Sequence, residues 1–126
     1  MSEEEEGLRP QRILLLEDNQ SFAMVVQDTL LARCGVIVVN VSDTDQALGF
    51  VHGNVGFSAI VVDGDLGRGV EETVAFVKCV APIFPNPIIA CSASPESSVR
   101  LRQAGCTHAT EEKHELPELL IELLMA

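Results

Sequence analysis

The stretch RILLLEDNQSFAMVVQDTLLARCG, residues 12–35, joins a short apolar run to a longer segment with helical spacing. Residues 13–16 are apolar without a break, as is typical of a strand that is buried on both faces. The predicted buried face of a helix then recurs at Phe22, Val25, Val26, Thr29 and Leu30. Gly35 is the predicted C-terminal stop of that helix. The stretch therefore predicts one strand–helix unit.

The alternation of strand and helix continues to the end of the chain. Apolar runs at residues 36–41, 59–62 and 88–91 predict three more strands, and a weaker fifth strand is expected within residues 106–111. Ser42 or Asp43 can cap the second helix, and Ser94 and Pro95 form an N-cap and N1 pair at the fourth. The last helix is predicted from its apolar positions, Leu116, Leu119, Leu120, Leu123 and Leu124.

Five strand–helix units in series predict an α/β fold, a doubly wound, five-stranded parallel sheet with helices on both faces. Right-handed crossovers leave few topologies, and the flavodoxin-like strand order 2-1-3-4-5 is the common one for five strands. In that order the carboxyl ends of strands 1 and 3 flank the crevice where ligands bind.

The composition indicates one acidic domain. The chain has 126 residues, with 8 Lys and Arg against 19 Asp and Glu and a formal net charge of −11. Four consecutive glutamates at residues 3–6 predict a flexible acidic tail over residues 1–11, which leaves residues 12–126 for the folded domain. The scarcity of Lys and Arg argues against nucleic acid or an anionic membrane as a partner.

Cysteine usage and the N-terminal sequence lead us to expect a cytoplasmic protein. Cys34, Cys79, Cys91 and Cys106 have no CxxC spacing, and we expect them to be reduced residues in or near the core. The N-terminus has no apolar leader, and no apolar run approaches the roughly 18 residues that a membrane span needs.

Three carboxylates follow strands that are neighbours in the predicted order. Glu17 and Asp18 close strand 1, and Asp63 closes strand 3. Carboxylates in close proximity repel one another unless a divalent cation neutralises them. Oxygen ligands with room for water suit Mg²⁺, so the sequence predicts a magnesium site at these residues.

A hydroxyl and an ammonium group are expected at the same edge of the sheet. Ser92 ends strand 4, and Lys113 follows strand 5. Together with the carboxylates, this set can perform phosphoryl transfer. Asp63 would be the nucleophile, Mg²⁺ and Lys113 would offset charge on the phosphoryl group, and Ser92 would donate a hydrogen bond to it. A capping role for Ser92 and a solvated position for Lys113 are the alternatives.

Three motifs make the chain similar to the receiver domain of two-component response regulators. RILLLEDN (residues 12–19) resembles the first strand with its acidic pair, AIVVDGDL (59–66) the third with its phosphoacceptor, and PIIACSAS (87–94) the fourth with its hydroxyl residue. The resemblance implies Asp63 as phosphoacceptor and the backbone carbonyl of Asp65 as a further Mg²⁺ ligand. Receivers are known for strand order 2-1-3-4-5, so the resemblance implies that order as well.

The region of strand 5 departs from the receiver pattern. The spacing from a glycine that matches Gly105 puts the family's lysine at Glu112, one residue before Lys113. We interpret Lys113 as the functional residue after a one-residue insertion, because Pro117 and Glu118 lie where this register puts the start of the last helix. If Glu112 occupies the position instead, its carboxylate would repel the phosphoryl group and impair phosphorylation. The family's aromatic switch residue has no counterpart in Thr-His-Ala-Thr, residues 107–110. His108 is either its substitute or a strand residue without a role.

The resemblance implies a signalling domain rather than a conventional enzyme. We expect it to take a phosphoryl group from phosphohistidine on a sensor histidine kinase or a histidine phosphotransfer protein, and to lose that group slowly by itself. Phosphorylation would switch a surface that binds a downstream protein target or a second copy of the chain. Two alternatives remain open, a receiver-like interaction module that is not phosphorylated, and a phosphatase of the haloacid-dehalogenase type, whose DxD motif resembles residues 63–65.

Overall fold

The computed structural model describes residues 11–53, 56–67 and 69–125, and within them it has the predicted α/β architecture. The strands are β1 Arg12–Leu16, β2 Ile37–Val41, β3 Ala59–Asp63, β4 Ile88–Cys91 and β5 His108–Ala109. They form one parallel sheet in the order β2-β1-β3-β4-β5, which confirms the predicted order. Most of the predicted acidic tail, residues 1–10, lies outside the described residues.

A helix follows each strand. They are α1 Gln20–Cys34, α2 Thr44–His52, α3 Glu71–Val80, α4 Pro95–Ala104 and α5 Leu116–Met125. A 3₁₀ turn at Lys113–Glu115 leads from β5 into α5. Across the described ranges, the helices are too short or too polar to span a membrane.

Several helix ends lie where the sequence predicts them. Asp43 rather than Ser42 caps α2, since its side chain accepts a hydrogen bond from a backbone N–H of the first turn at 2.8 Å. Ser94 caps α4, and Pro95 occupies the first turn. Gly35 ends α1 with a φ of 68°, in the left-handed region that favours glycine.

The sheet separates two hydrophobic cores, because successive side chains on a strand point to opposite faces. On one face, Leu14, Leu16 and Val62 pack in a cluster with residues of α2, α3 and α4. On the other face, Leu15 and Val61 pack with residues of α1 and α5. The central strand β3 is buried along its whole length. This packing fixes the position of the carboxyl end of β3, where Asp63 lies.

Two predictions about burial are wrong. Val25, expected on the buried face of α1, is 58% exposed. The buried residues of α1 are Ala23, Val26 and Leu30. Val25 is adjacent to Val26 in sequence and therefore lies about 100° away around the helix. Cys79, expected in or near the core, is exposed because Val80 takes the inward position at this end of α3.

Candidate functional site

The carboxyl ends of β1, β3 and β4 meet at one edge of the sheet. Leu16 pairs with the residue before Asp63, and Asp63 itself pairs with Cys91 of β4. Glu17, Asp63 and Ser92 therefore end their three strands at nearly the same level. These three polar residues therefore lie at the edge where the sequence predicts them.

Glu17, Asp18 and Asp63 form a carboxylate cluster, in which one oxygen atom from each residue lies within 4.8 Å of the others. Glu17 and Asp63 are buried, with 1% and 6% of their surface exposed, whereas Asp18 faces solvent. Asn40 on β2 holds this end of β1, since its side-chain amide donates hydrogen bonds to the carbonyls of Leu15 and Glu17 at 3.0 and 3.1 Å. The structure thus brings the three predicted carboxylates together.

Lys113 reaches this cluster from the 3₁₀ turn that follows β5. Its Nζ atom lies 2.8 Å from Glu17 Oε1 and 3.4 Å from Asp63 Oδ2. The same atom lies 5.2 Å from the centre of the Phe22 ring, at the first turn of α1. The ammonium group is therefore held between two carboxylates and an aromatic face.

Glu112 points away from the cluster. Its side chain is 70% exposed and lies 3.1 Å from His114 Nδ1. It also accepts a hydrogen bond from the backbone of Glu115, while the Glu115 carboxylate accepts one from the Glu112 N–H at 2.7 Å. This reciprocal capping box starts the 3₁₀ turn. In the structure, Lys113 and not Glu112 contacts Asp63.

The charges of the cluster are not balanced. Burial raises the pKa of Glu17 above 4.5, and the neighbouring Asp63 raises it further, while Lys113 acts in the opposite direction. Burial alone would lower the pKa of Lys113, but its hydrogen bond to Glu17 and the charges of both carboxylates outweigh burial and raise it. One ammonium group thus contacts two buried carboxylates, and the exposed Asp18 adds a third carboxylate to the cluster. An added cation would relieve the excess negative charge.

Ser92 lies where the loop from β4 to α4 packs against the residue after Asp63. It is buried, and its hydroxyl oxygen accepts a hydrogen bond from the N–H of Ser94 at 3.2 Å. Gly64, directly after Asp63, is the contact point, because a Cβ built on it would lie 2.6 Å from Ser92 Oγ. The predicted hydroxyl residue is therefore within the site.

Asp65 shapes the loop after Asp63. Its N–H donates to Asp63 Oδ1 at 3.3 Å, and its own Oδ1 accepts from the N–H groups of Gly67 and Gly69 at 2.7 and 3.1 Å. Gly67 and Gly69 have φ angles of 94° and 87°, which other residues adopt only with strain. The side chain of Asp65 organises this turn, and the predicted metal contact concerns its backbone carbonyl.

The two residues of β5, the strand that precedes Lys113, are His108 and Ala109. His108 is half-buried on β5, and its Nδ1 lies 2.8 Å from Thr107 Oγ1. Thr110, directly after the strand, is buried. No aromatic ring of Phe, Tyr or Trp occupies residues 107–110.

Asn19, Asn40 and Gly64 belong to the site but were not predicted as site residues, and Phe22 was predicted only as a core residue. Asn19 caps α1 by accepting a hydrogen bond from Phe22 N at 3.1 Å, and its own N–H donates to Glu17 Oε2 at 3.3 Å. The sequence offered two signals, an Asn directly before a helix and a lone polar residue within the apolar strand β2.

The site lies in an open cleft of about 680 Å³ at this edge of the sheet. Carboxylates, hydroxyl groups and the Lys113 ammonium line it. Several carboxylate oxygens beside a single ammonium group suit a small, hard cation such as Mg²⁺, with space left for water or a phosphoryl group. The residues present therefore fit the predicted metal.

Solved structures similar to this chain include response regulators and receiver domains. A CheY-like receiver from Methanospirillum hungatei JF-1 has 21% identity and a TM-score of 0.75, over 93% of this chain and 95% of that chain. A putative response regulator from Chloroflexus aurantiacus J-10-fl has 19% identity and a TM-score of 0.75, over 94% of this chain and 100% of that chain.

A third structure is the receiver domain of a sensor histidine kinase from Pseudomonas aeruginosa PAO1, with a magnesium ion coordinated in its active site cleft. It has 25% identity and a TM-score of 0.73, over 94% of this chain and 100% of that chain. No protein-family model and no curated protein matches the sequence. The chain has the receiver fold, which confirms the resemblance that its three motifs indicate.

Proposed function

We propose that this chain is a phosphoacceptor receiver domain of two-component signalling, which accepts a phosphoryl group on Asp63. The receiver fold supports this function. The observation that carries it is the position of Asp63 at a strand end, within the carboxylate cluster and 3.4 Å from Lys113 Nζ. The proposed donor is phosphohistidine on a sensor histidine kinase or a histidine phosphotransfer protein.

The proposed step moves a phosphoryl group between two side chains. A carboxylate oxygen of Asp63 attacks the phosphorus atom of the phosphohistidine. An O–P bond forms while the N–P bond breaks, and the electron pair of that bond leaves with the donor's imidazole. Hydrolysis of the resulting acyl phosphate by water releases inorganic phosphate and restores the carboxylate.

Mg²⁺ fits the carboxylate cluster, and Glu17, Asp18, Asp63 and the backbone carbonyl of Asp65 are the groups that would hold it. When bound, the ion would supply positive charge to the carboxylates and to the phosphoryl oxygens. The raised pKa of Glu17, caused by burial and by Asp63, supports this assignment. A buried cluster with surplus negative charge favours a divalent cation.

Lys113 and Ser92 would bind the phosphoryl group from two different loops. Lys113 already contacts both buried carboxylates, so a phosphoryl group on Asp63 would lie beside its ammonium group. Ser92 Oγ accepts a hydrogen bond from a backbone N–H, so its own O–H can donate to a phosphoryl oxygen. Movement of Ser92 would then shift the surface formed by α4, β5 and α5, which we propose as the surface for a downstream protein target.

A phosphorylation-independent interaction module is the second candidate function. It is favoured by the absence of Phe, Tyr and Trp from residues 107–110, because the family's usual switch residue is missing there. The phosphatase alternative requires Asp65 as an acid or base, but Asp65 Oδ1 accepts two backbone hydrogen bonds in the loop. That geometry supports a structural role for the Asp65 side chain.

Titration with beryllofluoride, a phosphoryl mimic, in the presence of Mg²⁺ tests the proposal, with amide NMR as the readout. We expect shifts around Asp63 and Ser92 that extend into α4. Asp63→Asn is the control and should show none of them. If the wild-type spectrum does not change at saturating beryllofluoride and Mg²⁺, phosphorylation is excluded and the interaction module remains.

A further inference from the structure

Gly64 lies at the closest approach of the two loops that carry Asp63 and Ser92. It is buried, and a Cβ built on it would lie 2.6 Å from Ser92 Oγ, 2.9 Å from Ser92 Cβ and 3.0 Å from Ser97 Cβ. Carbon atoms in favourable contact are about 3.5–4.0 Å apart. No side chain fits at this position unless Ser92 or Ser97 moves.

The requirement for glycine here is steric rather than conformational. Gly67 and Gly69 in the same loop have positive φ angles, whereas Gly64 does not. An alanine can therefore adopt the backbone conformation of Gly64. Only its methyl group would meet the two serines.

The two serines have little freedom to make room. Ser92 directly follows Cys91, which pairs with Asp63 in the sheet. Its Oγ accepts the hydrogen bond from Ser94 N, and Ser94 in turn caps α4 by accepting from Ser97 N at 3.3 Å. A methyl group at residue 64 would therefore turn the Ser92 hydroxyl aside or push the start of α4 away from the site.

We propose that Gly64 is a positioning residue for Ser92. Because it has no side chain, the Ser92 hydroxyl lies directly against the backbone that follows Asp63, where it can reach a phosphoryl group on that residue. Gly64 acts through Ser92 and offers no side chain of its own to the phosphoryl group. This inference rests on the proposed function of Asp63.

A double-mutant cycle tests this role, with the dissociation constant of beryllofluoride in saturating Mg²⁺ as the readout. Loss of one hydrogen bond to a charged group weakens binding by about tenfold or more, and we expect this loss in both Gly64→Ala and Ser92→Ala. The double variant should bind within about twofold of Ser92→Ala, because residues that act as a unit are not additive.

Two controls separate positioning from general damage. Gly49→Ala adds the same methyl group on α2, where a Cβ meets nothing within 4 Å, and it should bind like the wild type. Affinity for Mg²⁺ alone is measured in Gly64→Ala as well, because Gly64 lies between Asp63 and Asp65, and a loss of Mg²⁺ affinity as large as the loss for beryllofluoride would overturn the inference. If Gly64→Ala is unfolded, Gly64→Ala/Ser97→Gly replaces it, since this variant relieves the contact with α4 and keeps the one with Ser92.

Wild-type affinity in Gly64→Ala overturns the inference, as does a double variant in which the two losses multiply. Failure of the proposed function gives a different result, because the wild-type protein itself then does not bind beryllofluoride. Tight binding by the wild type, weak binding by both single variants and no further loss in the double variant support the positioning role.

Discussion

Replacement of Lys113 by methionine tests whether one ammonium group balances the buried carboxylates. Methionine keeps much of the apolar stem but removes the charge that lies 2.8 Å from Glu17 and 3.4 Å from Asp63. Both carboxylates stay buried, with 1% and 6% of their surface exposed. We expect Lys113→Met to destabilise the metal-free protein at pH 7 and to increase the stabilisation that it gains from Mg²⁺.

The size of the loss follows from the burial of the ion pair. Removal of one partner of a fully buried pair costs about 3–5 kcal/mol, because the other charge is left uncompensated. The Lys113 side chain is 28% exposed, so water screens the pair and we expect about 2–3 kcal/mol. Mg²⁺ at a hundred times its dissociation constant stabilises a folded protein by about 2.7 kcal/mol, enough to offset this loss.

Urea unfolding followed by circular dichroism measures the effect, since the chain has no Trp and no Tyr for fluorescence. Glu112→Gln is the matched control, because it removes a charge from the adjacent, 70% exposed side chain and keeps an oxygen for the capping box. Its free energy of unfolding should change by less than about 0.5 kcal/mol. Equal stability of Lys113→Met and Glu112→Gln without Mg²⁺ would refute the reasoning.

Three further predictions concern metal binding, pH and the core. Asp18→Asn should weaken Mg²⁺ binding by about tenfold in calorimetry without loss of stability, because Asp18 is exposed. Burial and Asp63 raise the pKa of Glu17, so the folded state binds a proton there more tightly than the unfolded state does. The free energy of unfolding that this adds is fully present below pH 4.5, and it declines as pH rises through the raised pKa. Glu17→Gln should flatten that decline in urea unfolding of the metal-free protein. Leu120→Ala should cost about 2–5 kcal/mol by the same assay, because Leu120 is fully buried.

The sheet and its site edge were predictable because the signals are strong and local. Continuous apolar runs mark β1, β3 and β4, and caps such as Asp43 and Ser94 mark where helices begin. Once the strand order is known, residues that directly follow adjacent parallel strands must meet at one edge. Glu17 and Asp63 are such residues, so their proximity follows from topology alone.

The position of Lys113 depends on structure that apolar periodicity does not describe. β5 has only two residues, too few for the sequence pattern to show which residue ends the strand. A 3₁₀ turn, rather than the helix itself, follows it. The capping box between Glu112 and Glu115 decides which side chain turns inward, and its two members are three residues apart in a stretch rich in glutamate. Spacing from Gly105 alone would select Glu112.

Gly64 marks a second limit, because its role depends on a contact between two loops that are distant in sequence. A glycine between two aspartates is typical of a flexible turn. No residue near it in the sequence indicates that Ser92 occupies the space that a side chain at residue 64 would need. The wrong prediction for Val25 has the same cause, because the helical period does not tell how wide the buried face of α1 is. Tertiary packing, not local propensity, decides such positions.

The charge of the chain and the chemistry of its site are linked through burial. A net charge of −11 spread over a solvated surface costs little, but Glu17 and Asp63 are held in a buried cluster in which Lys113 offsets only part of their charge. The fold keeps this unfavourable arrangement because β1 and β3 are packed on both faces and cannot separate their ends. The repulsion between these carboxylates favours binding of a divalent cation. We therefore expect metal binding to stabilise this edge of the sheet.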